Sequence, residues 1–191
     1  MRKIGMTSAL CALAVASVAG AATAQTPTPA PAPSVAVAAP TYVSIPLEMA
    51  VSRPAADVWK RVGKFCDIGE WLQIPCTITS GKDGEFGAVR SVAGEVLVGR
   101  TELSYTYTQT VRNDRPYNLY HGTLEVRPVT ATTSKLVYTI FFDNSMLADE
   151  AAREADKGRR VTTFTRALQN MKTLSEGGTL PPAPARGRGA Q

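Results

Sequence analysis

The chain has 191 residues, of which 44% are hydrophobic, 7% aromatic and 19% charged. That length suffices for one domain with a hydrophobic core, and the composition excludes a largely disordered, collagenous or polytopic membrane protein. The formal net charge of +5 is a property of the ends: without Arg2 and Lys3, 19 basic residues face 16 acidic ones, a charge of +3, and removing Arg186 and Arg188 leaves +1. So small an excess gives no basic face for nucleic acid, and no nucleic-acid partner is expected.

Arg2 and Lys3 precede an Ala-rich apolar run from Ile4 to Ala21, which leads into Ala22-Thr23-Ala24. A positive start, an apolar stretch and a small-residue cleavage site make a secretory signal over residues 1–24, with cleavage expected after Ala24. The run is short and weakly apolar against a hydrocarbon core ~30 Å thick, so no stable membrane span is expected after cleavage. The mature protein is therefore expected to be periplasmic or secreted. Residues 25–40, QTPTPAPAPSVAVAAP, alternate proline with small residues. Such a segment cannot build a core and reads as an extended spacer of up to ~50 Å. The Gly-, Pro- and Arg-containing tail, 177–191, reads as solvated chain.

Once Cys11 leaves with the signal, Cys66 and Cys76 remain. An even pair in an oxidising compartment is expected to form a disulfide, with two buried free thiols as the alternative. His121 is the only histidine, which leaves no zinc set; no metal and no other cofactor is expected.

Between these ends, residues 41–176 carry periodic patterns. Thr41 to Val51 alternates, with Val43, Ile45, Leu47 and Met49 on one face of a strand. Ser52 and Pro54 read as the start of a helix running to Lys64, with Ser52 as its cap, and Ile68, Trp71 and Leu72 suit a second short helix ending by Pro75. Strands are expected over Cys76 to Ser80 and Phe86 to Val92, joined by a hairpin turn at Gly81-Lys82-Asp83-Gly84. Further strands follow over Glu95 to Glu102, where Gly99 marks a bulge, and over Leu103 to Val111, Asn118 to Val126 and Lys135 to Asp143. A long helix from Leu147 to Ser175 carries the stripe Ala151, Ala155, Val161, Phe164, Leu168 and Met171, and stops at Gly177-Gly178.

Pro54 with Val58-Trp59, Ile68-Gly69-Glu70-Trp71, Gly87-Ala88-Val89-Arg90, Tyr105 and Leu124-Glu125-Val126-Arg127-Pro128 follow one another in this order ahead of the long helix. In these motifs the chain resembles the SRPBCC superfamily, which includes the START, polyketide cyclase/dehydrase and birch-pollen-allergen proteins; it looks most like the bacterial polyketide cyclase/dehydrase branch. Many members of that branch carry His-Pro after the tryptophan, where this chain has Leu72-Gln73. The resemblance implies an α+β helix-grip fold: a curved, seven-stranded antiparallel sheet around a long C-terminal helix, with two short helices after the first strand. It also implies a ligand cavity between sheet and helix.

Strand parity says which side chains face that interior. On Leu103 to Val111, Leu103, Tyr105 and Tyr107 share a face opposite a polar Ser/Thr row. On the next strands Tyr120, Leu124 and Val126, and then Leu136, Tyr138, Ile140 and Phe142, point the same way, while His121 points out. Tyr105, Tyr107, Tyr120 and Tyr138 beside Trp71, Phe164 and Leu168 would line an apolar pocket with several hydroxyls, and Arg90 and Glu102 would form a charge clamp at its mouth. Each tyrosine read alone is as well explained as core filling. These residues point to a binding or carrier protein for a hydrophobic or amphipathic small molecule, a lipid or a polycyclic metabolite. Two alternatives stand beside it: a cyclase, dehydratase or isomerase acting by acid–base chemistry, and an envelope stress or interaction protein whose cavity is closed. No catalytic residue is assigned.

Overall fold

The computed structural model describes residues 37–112 and 114–183. The expected signal segment 1–24, spacer residues 25–36 and tail residues 184–191 lie outside the described residues, as does Asn113. No helix among the described residues is long and apolar enough to cross a membrane.

The chain runs β1 (Tyr42–Val51), α1 (Ala55–Val62), α2 (Ile68–Trp71), β2 (Ile78–Ser80), β3 (Val89–Arg90), β4 (Glu95–Arg100), β5 (Ser104–Gln109), β6 (Asn118–Pro128), β7 (Ser134–Asp143) and α3 (Glu150–Ser175). The seven strands form one antiparallel sheet in the order β1-β7-β6-β5-β4-β3-β2, so the first strand pairs with the last. This is the expected α+β architecture. Alternation dictates it: Tyr105 and Tyr107 on β5, Tyr120, Leu124 and Val126 on β6, and Leu136, Tyr138, Ile140 and Phe142 on β7 are all buried on one face. Gly99 sits at a register shift between β4 and β5, as its place in the strand suggested.

The helices cover that face in two parts. The long helix α3 packs across β1 and β7, burying Phe164, Ala167, Leu168, Met171 and Leu174. Beside it the segment from α1 to α2 packs on β6 and β7 and, through Phe65 and Trp59, reaches Tyr105 on β5; Val58, Val62, Phe65, Ile68 and Trp71 are buried. Cys66 and Cys76 are disulfide-bonded, with Cα atoms 5.6 Å apart, and so tie the start of α2 to the approach to β2. Closing this short loop stabilises the fold by about 2.8 kcal/mol on the chain-entropy account.

Several local expectations are corrected. Ser52 does not cap α1; Pro54 stands at the cap, and the Ser52 N–H instead donates to Glu176 Oε1 at 2.8 Å, pinning the end of α3 to the end of β1. The hairpin turn at 81–84 is a longer loop over residues 81–88, and the following strand shrinks to Val89–Arg90. Gly84 and Gly87 adopt φ of +79° and +81° within this loop. Phe86 is 66% exposed, while the Gly87 N–H donates to the Leu97 carbonyl of β4 and the Ala88 carbonyl accepts the Leu97 N–H, each at 2.9 Å. The long helix starts at Glu150, because the Asp149 side chain accepts from the Ala152 N–H at 2.8 Å and fixes the first turn there.

The stripe on α3 holds at Val161, Phe164, Leu168 and Met171, which are buried or packed on the core, and fails only in the first turns. Ala151 and Ala155 are exposed, and the buried face runs through Asp156, Arg160 and Phe164. Arg160 lays its guanidinium 4.2 Å from the Phe142 ring and 4.6 Å from that of Tyr117, while Asp156 one turn earlier accepts from its Nε at 2.8 Å. A stacked, neutralised arginine thus fills the space that an apolar stripe was expected to fill.

Candidate functional site

The tyrosine face expected to line a cavity is packed on itself. The Tyr107 and Tyr138 hydroxyls lie 2.7 Å apart in a mutual hydrogen bond. Phe164 meets Tyr138 edge-on at 4.8 Å between ring centres, and Trp71 closes on the same ring at 6.1 Å. Tyr107 crosses directly over Gly122 on β6, where a Cβ would come within 2.3 Å of the phenol ring; only glycine permits this approach. Tyr120 stacks on Phe142 and Leu168 is buried. Burial raises the four phenols above their ordinary value, so they act here as neutral groups.

The expected Arg90–Glu102 clamp does not form. Arg90 is wholly buried and pairs with Glu95 on β4: its Nε donates to Glu95 Oε2 at 2.6 Å. Glu102 is exposed on the β4–β5 connection, because the residue of β4 that faces inward across from Arg90 is Glu95. Gln109 Nε2 donates to the second Glu95 oxygen at 2.9 Å, and the guanidinium lies between the Phe65 and Tyr107 rings at 4.3 and 4.5 Å. Burial raises the Glu95 carboxyl, against the opposing pull of Arg90. His121 lies on the outer face, as expected, with Nδ1 2.8 Å from the Leu119 carbonyl.

The arginine also reaches outward. Arg90 Nη1 donates to the Phe65 carbonyl at 2.5 Å, and Asp83 Oδ1 accepts the Phe65 N–H at 3.1 Å. Held at both backbone groups, and next to the disulfide at Cys66, Phe65 forms the floor of a cleft of about 360 Å³ between α1, the 81–88 loop and the β4–β5 hairpin. Leu97 and Tyr105 complete the floor and Trp59 forms a wall; Tyr105 meets Phe65 edge-on at 5.5 Å and Trp59 at 5.8 Å. Gly63 lets the Trp59 indole fold back on its own chain, since a Cβ there would lie 2.4 Å from the ring. Around the mouth stand Lys60, Lys64, Arg100, Asp83 and Ser104. The volume falls within the range of about 300–1,000 Å³ usual for small-molecule sites, and the lining has their mix of apolar rings and a few polar groups. Two other surface hollows, of about 320 and 330 Å³, lie beside the ends of β1, and neither has a floor of buried aromatic rings.

Of the residues expected to contact a ligand, Tyr105 borders this cleft. Trp71, Arg90, Tyr107, Tyr120, Tyr138, Phe164 and Leu168 belong to the packed interior, and Glu102 lies outside both. Sequence reasoning missed Trp59, Phe65 and Leu97, which read as ordinary core at helix or strand spacing. It also missed Glu95, although it shares β4's inward parity with Leu97. No group of His, Cys, Asp or Glu among the described residues suits a metal ion.

Comparison with known proteins follows the fold. Residues 43–176 match the family described as polyketide cyclase / dehydrase and lipid transport. A solution NMR structure of a protein from Thermobifida fusca is 24% identical, with 72% of this chain and 97% of that one covered and a TM-score of 0.55. The crystal structure of the ZhuI aromatase/cyclase from Streptomyces sp. R1128 is 17% identical, covering 73% of this chain and all of the other (100%) at a TM-score of 0.55. A truncated norcoclaurine synthase from Thalictrum flavum is 12% identical, with 75% and 99% covered and the same TM-score of 0.55. At these identities the likeness concerns the fold. No curated protein sequence matches the chain.

Proposed function

This chain belongs to the polyketide cyclase/dehydrase and lipid transport family, and from that premise we propose that it is an exported binding or carrier protein for a hydrophobic or amphipathic small molecule. Family membership supports the hydrophobic ligand. The observation that carries the reading is the cleft floored by Phe65, Leu97 and Tyr105 and walled by Trp59, an apolar aromatic surface with one side open. The signal-like segment 1–24 supports export to the periplasm.

The buried Arg90–Glu95 pair favours a second reading, an enzyme working by acid–base chemistry. A general acid or base must touch the reacting group. Glu95 is engaged by both Arg90 and Gln109 and does not border the cleft, while Asp83, which does, is engaged by the Phe65 N–H. Binding without turnover is therefore the better fit. The open cleft also weighs against the third alternative, a closed fold acting only through its ends.

Protein isolated from the periplasmic fraction of its native host tests the reading. Intact mass should show a chain beginning at Gln25, and native mass spectrometry should show a co-purifying small molecule that is lost on denaturation. A full-length cytoplasmic chain would overturn export, and repeated recovery free of any ligand would overturn the carrier role.

A further inference from the structure

We infer that the cleft takes an amphipathic anion: an apolar body seated on Phe65, Trp59 and Tyr105, with a carboxylate, sulfonate or phosphate head at a rim made by Lys60, Lys64 and Arg100. This rests on the binding reading above and adds the charge of the ligand to it.

The rim carries three cations and one carboxylate, Asp83. All three cationic residues are exposed, and none forms an ion pair within 4 Å among the described residues. Of the acids nearby, Asp83 accepts the Phe65 N–H at 3.1 Å and Asp67 accepts the Lys64 N–H at 2.8 Å; Asp67 also attracts the Lys64 ammonium, without closing to an ion pair. Arg100 spends one Nη1 hydrogen on the Gly84 carbonyl, which orients the guanidinium across the mouth and leaves other N–H donors for a ligand. Elsewhere on this molecule exposed cations are commonly paired, as in Arg61–Glu70, Lys135–Glu48 and Arg127–Glu125. Three unpaired cations above an apolar floor suit a ligand that brings a negative head and a greasy body together.

Two dyes with the same ring system separate the two parts. 1-Anilinonaphthalene-8-sulfonate carries a sulfonate, and N-phenyl-1-naphthylamine lacks it. In fluorescence titrations of the mature chain at about 0.02 M salt, the sulfonate dye should bind about tenfold more tightly, and the preference should shrink to about threefold or less at about 0.3 M salt. The exposed double variant Lys60→Gln/Lys64→Gln should reduce the preference toward parity without weakening the neutral dye, and Ser104→Trp, which fills the cleft, should weaken both. Equal binding of the two dyes at both salts would overturn the anionic head and leave the apolar cleft standing. Failure of both dyes to bind would overturn the binding reading and this inference with it. Inorganic sulfate, added at constant ionic strength, should compete only with the sulfonate head and lower that dye's affinity no further than that of the neutral dye; complete displacement of the sulfonate dye with the neutral dye unmoved would mark the rim as a free-anion site and refute a single amphipathic ligand. Sulfonate binding unchanged in Ser104→Trp would place the dye elsewhere and refute it too.

Discussion

Two aromatic clusters face the same side of the sheet and differ in what stands opposite them. Around Tyr107 and Tyr138 both covering segments contribute, Phe164 of α3 and Trp71 of α2 against Tyr138 and Phe65 against Tyr107, and the two hydroxyls satisfy each other. Around Tyr105 the opposing surface is the shorter α1–α2 segment, which supplies Phe65 and Trp59 but stops short of covering the β4–β5 hairpin. The residue types are alike. Both clusters belong to one buried core, and what differs is that the second also borders an open cleft, where on the proposed reading apolar area counts as affinity because water can be displaced by something else.

Arg90 joins the two regions, since it pairs with Glu95 in the core and holds the Phe65 carbonyl at the cleft floor. Arg90→Met should therefore disturb both. Stranding Glu95 in the interior should cost about 3–5 kcal/mol in denaturant unfolding, and the Arg90→Met/Glu95→Leu double variant should recover much of that loss. If the single variant unfolds like the parent, the pair is not the link described. Next in size, the Cys66→Ser/Cys76→Ser variant should lose about 2.8 kcal/mol and weaken dye binding, because Phe65 is adjacent to the bridge. Gly122→Ala, which forces the Tyr107 ring aside, should cost about 1–3 kcal/mol and leave binding in the cleft unchanged. Tyr138→Phe removes a hydrogen-bond partner from Tyr107 and should cost about 1 kcal/mol, again without an effect on binding. A large binding defect in either of these interior variants would erase the distinction between the clusters. Smallest of all, Glu102→Gln should change stability by no more than about 0.5 kcal/mol, as expected of an exposed, unpaired side chain, and binding should be unmoved.

Strand parity was readable throughout because a period of 2 leaves little freedom: the inward tyrosines, the outward His121 and the Gly99 irregularity all stand where alternation puts them. The helix face was harder to read. Asp156 and Arg160 look like solvent residues one at a time, yet as an i,i+4 pair stacked on Tyr117 and Phe142 they occupy the buried stripe, while the alanines chosen by hydrophobicity stay in water. The same limit applied to Arg90. Its inward position follows from parity, but its partner depends on the short β3–β4 pairing, in which Arg90 stands across from Glu95. The cleft was the least legible feature. Trp59, Phe65 and Leu97 each carry an ordinary core signature, and only the three-dimensional gap between α1 and the β4–β5 hairpin sets them apart from Trp71, Phe164 and Leu168.

The most direct test of where the ligand sits is amide chemical-shift mapping by NMR during titration with N-phenyl-1-naphthylamine. Shifts concentrated at Trp59, Gly63, Phe65, Leu97 and Tyr105, with the amides of Leu124, Tyr138, Phe164 and Leu168 unmoved, are the expected result. Shifts concentrated at the second group would place the ligand between sheet and α3 and contradict the assignment of the cleft.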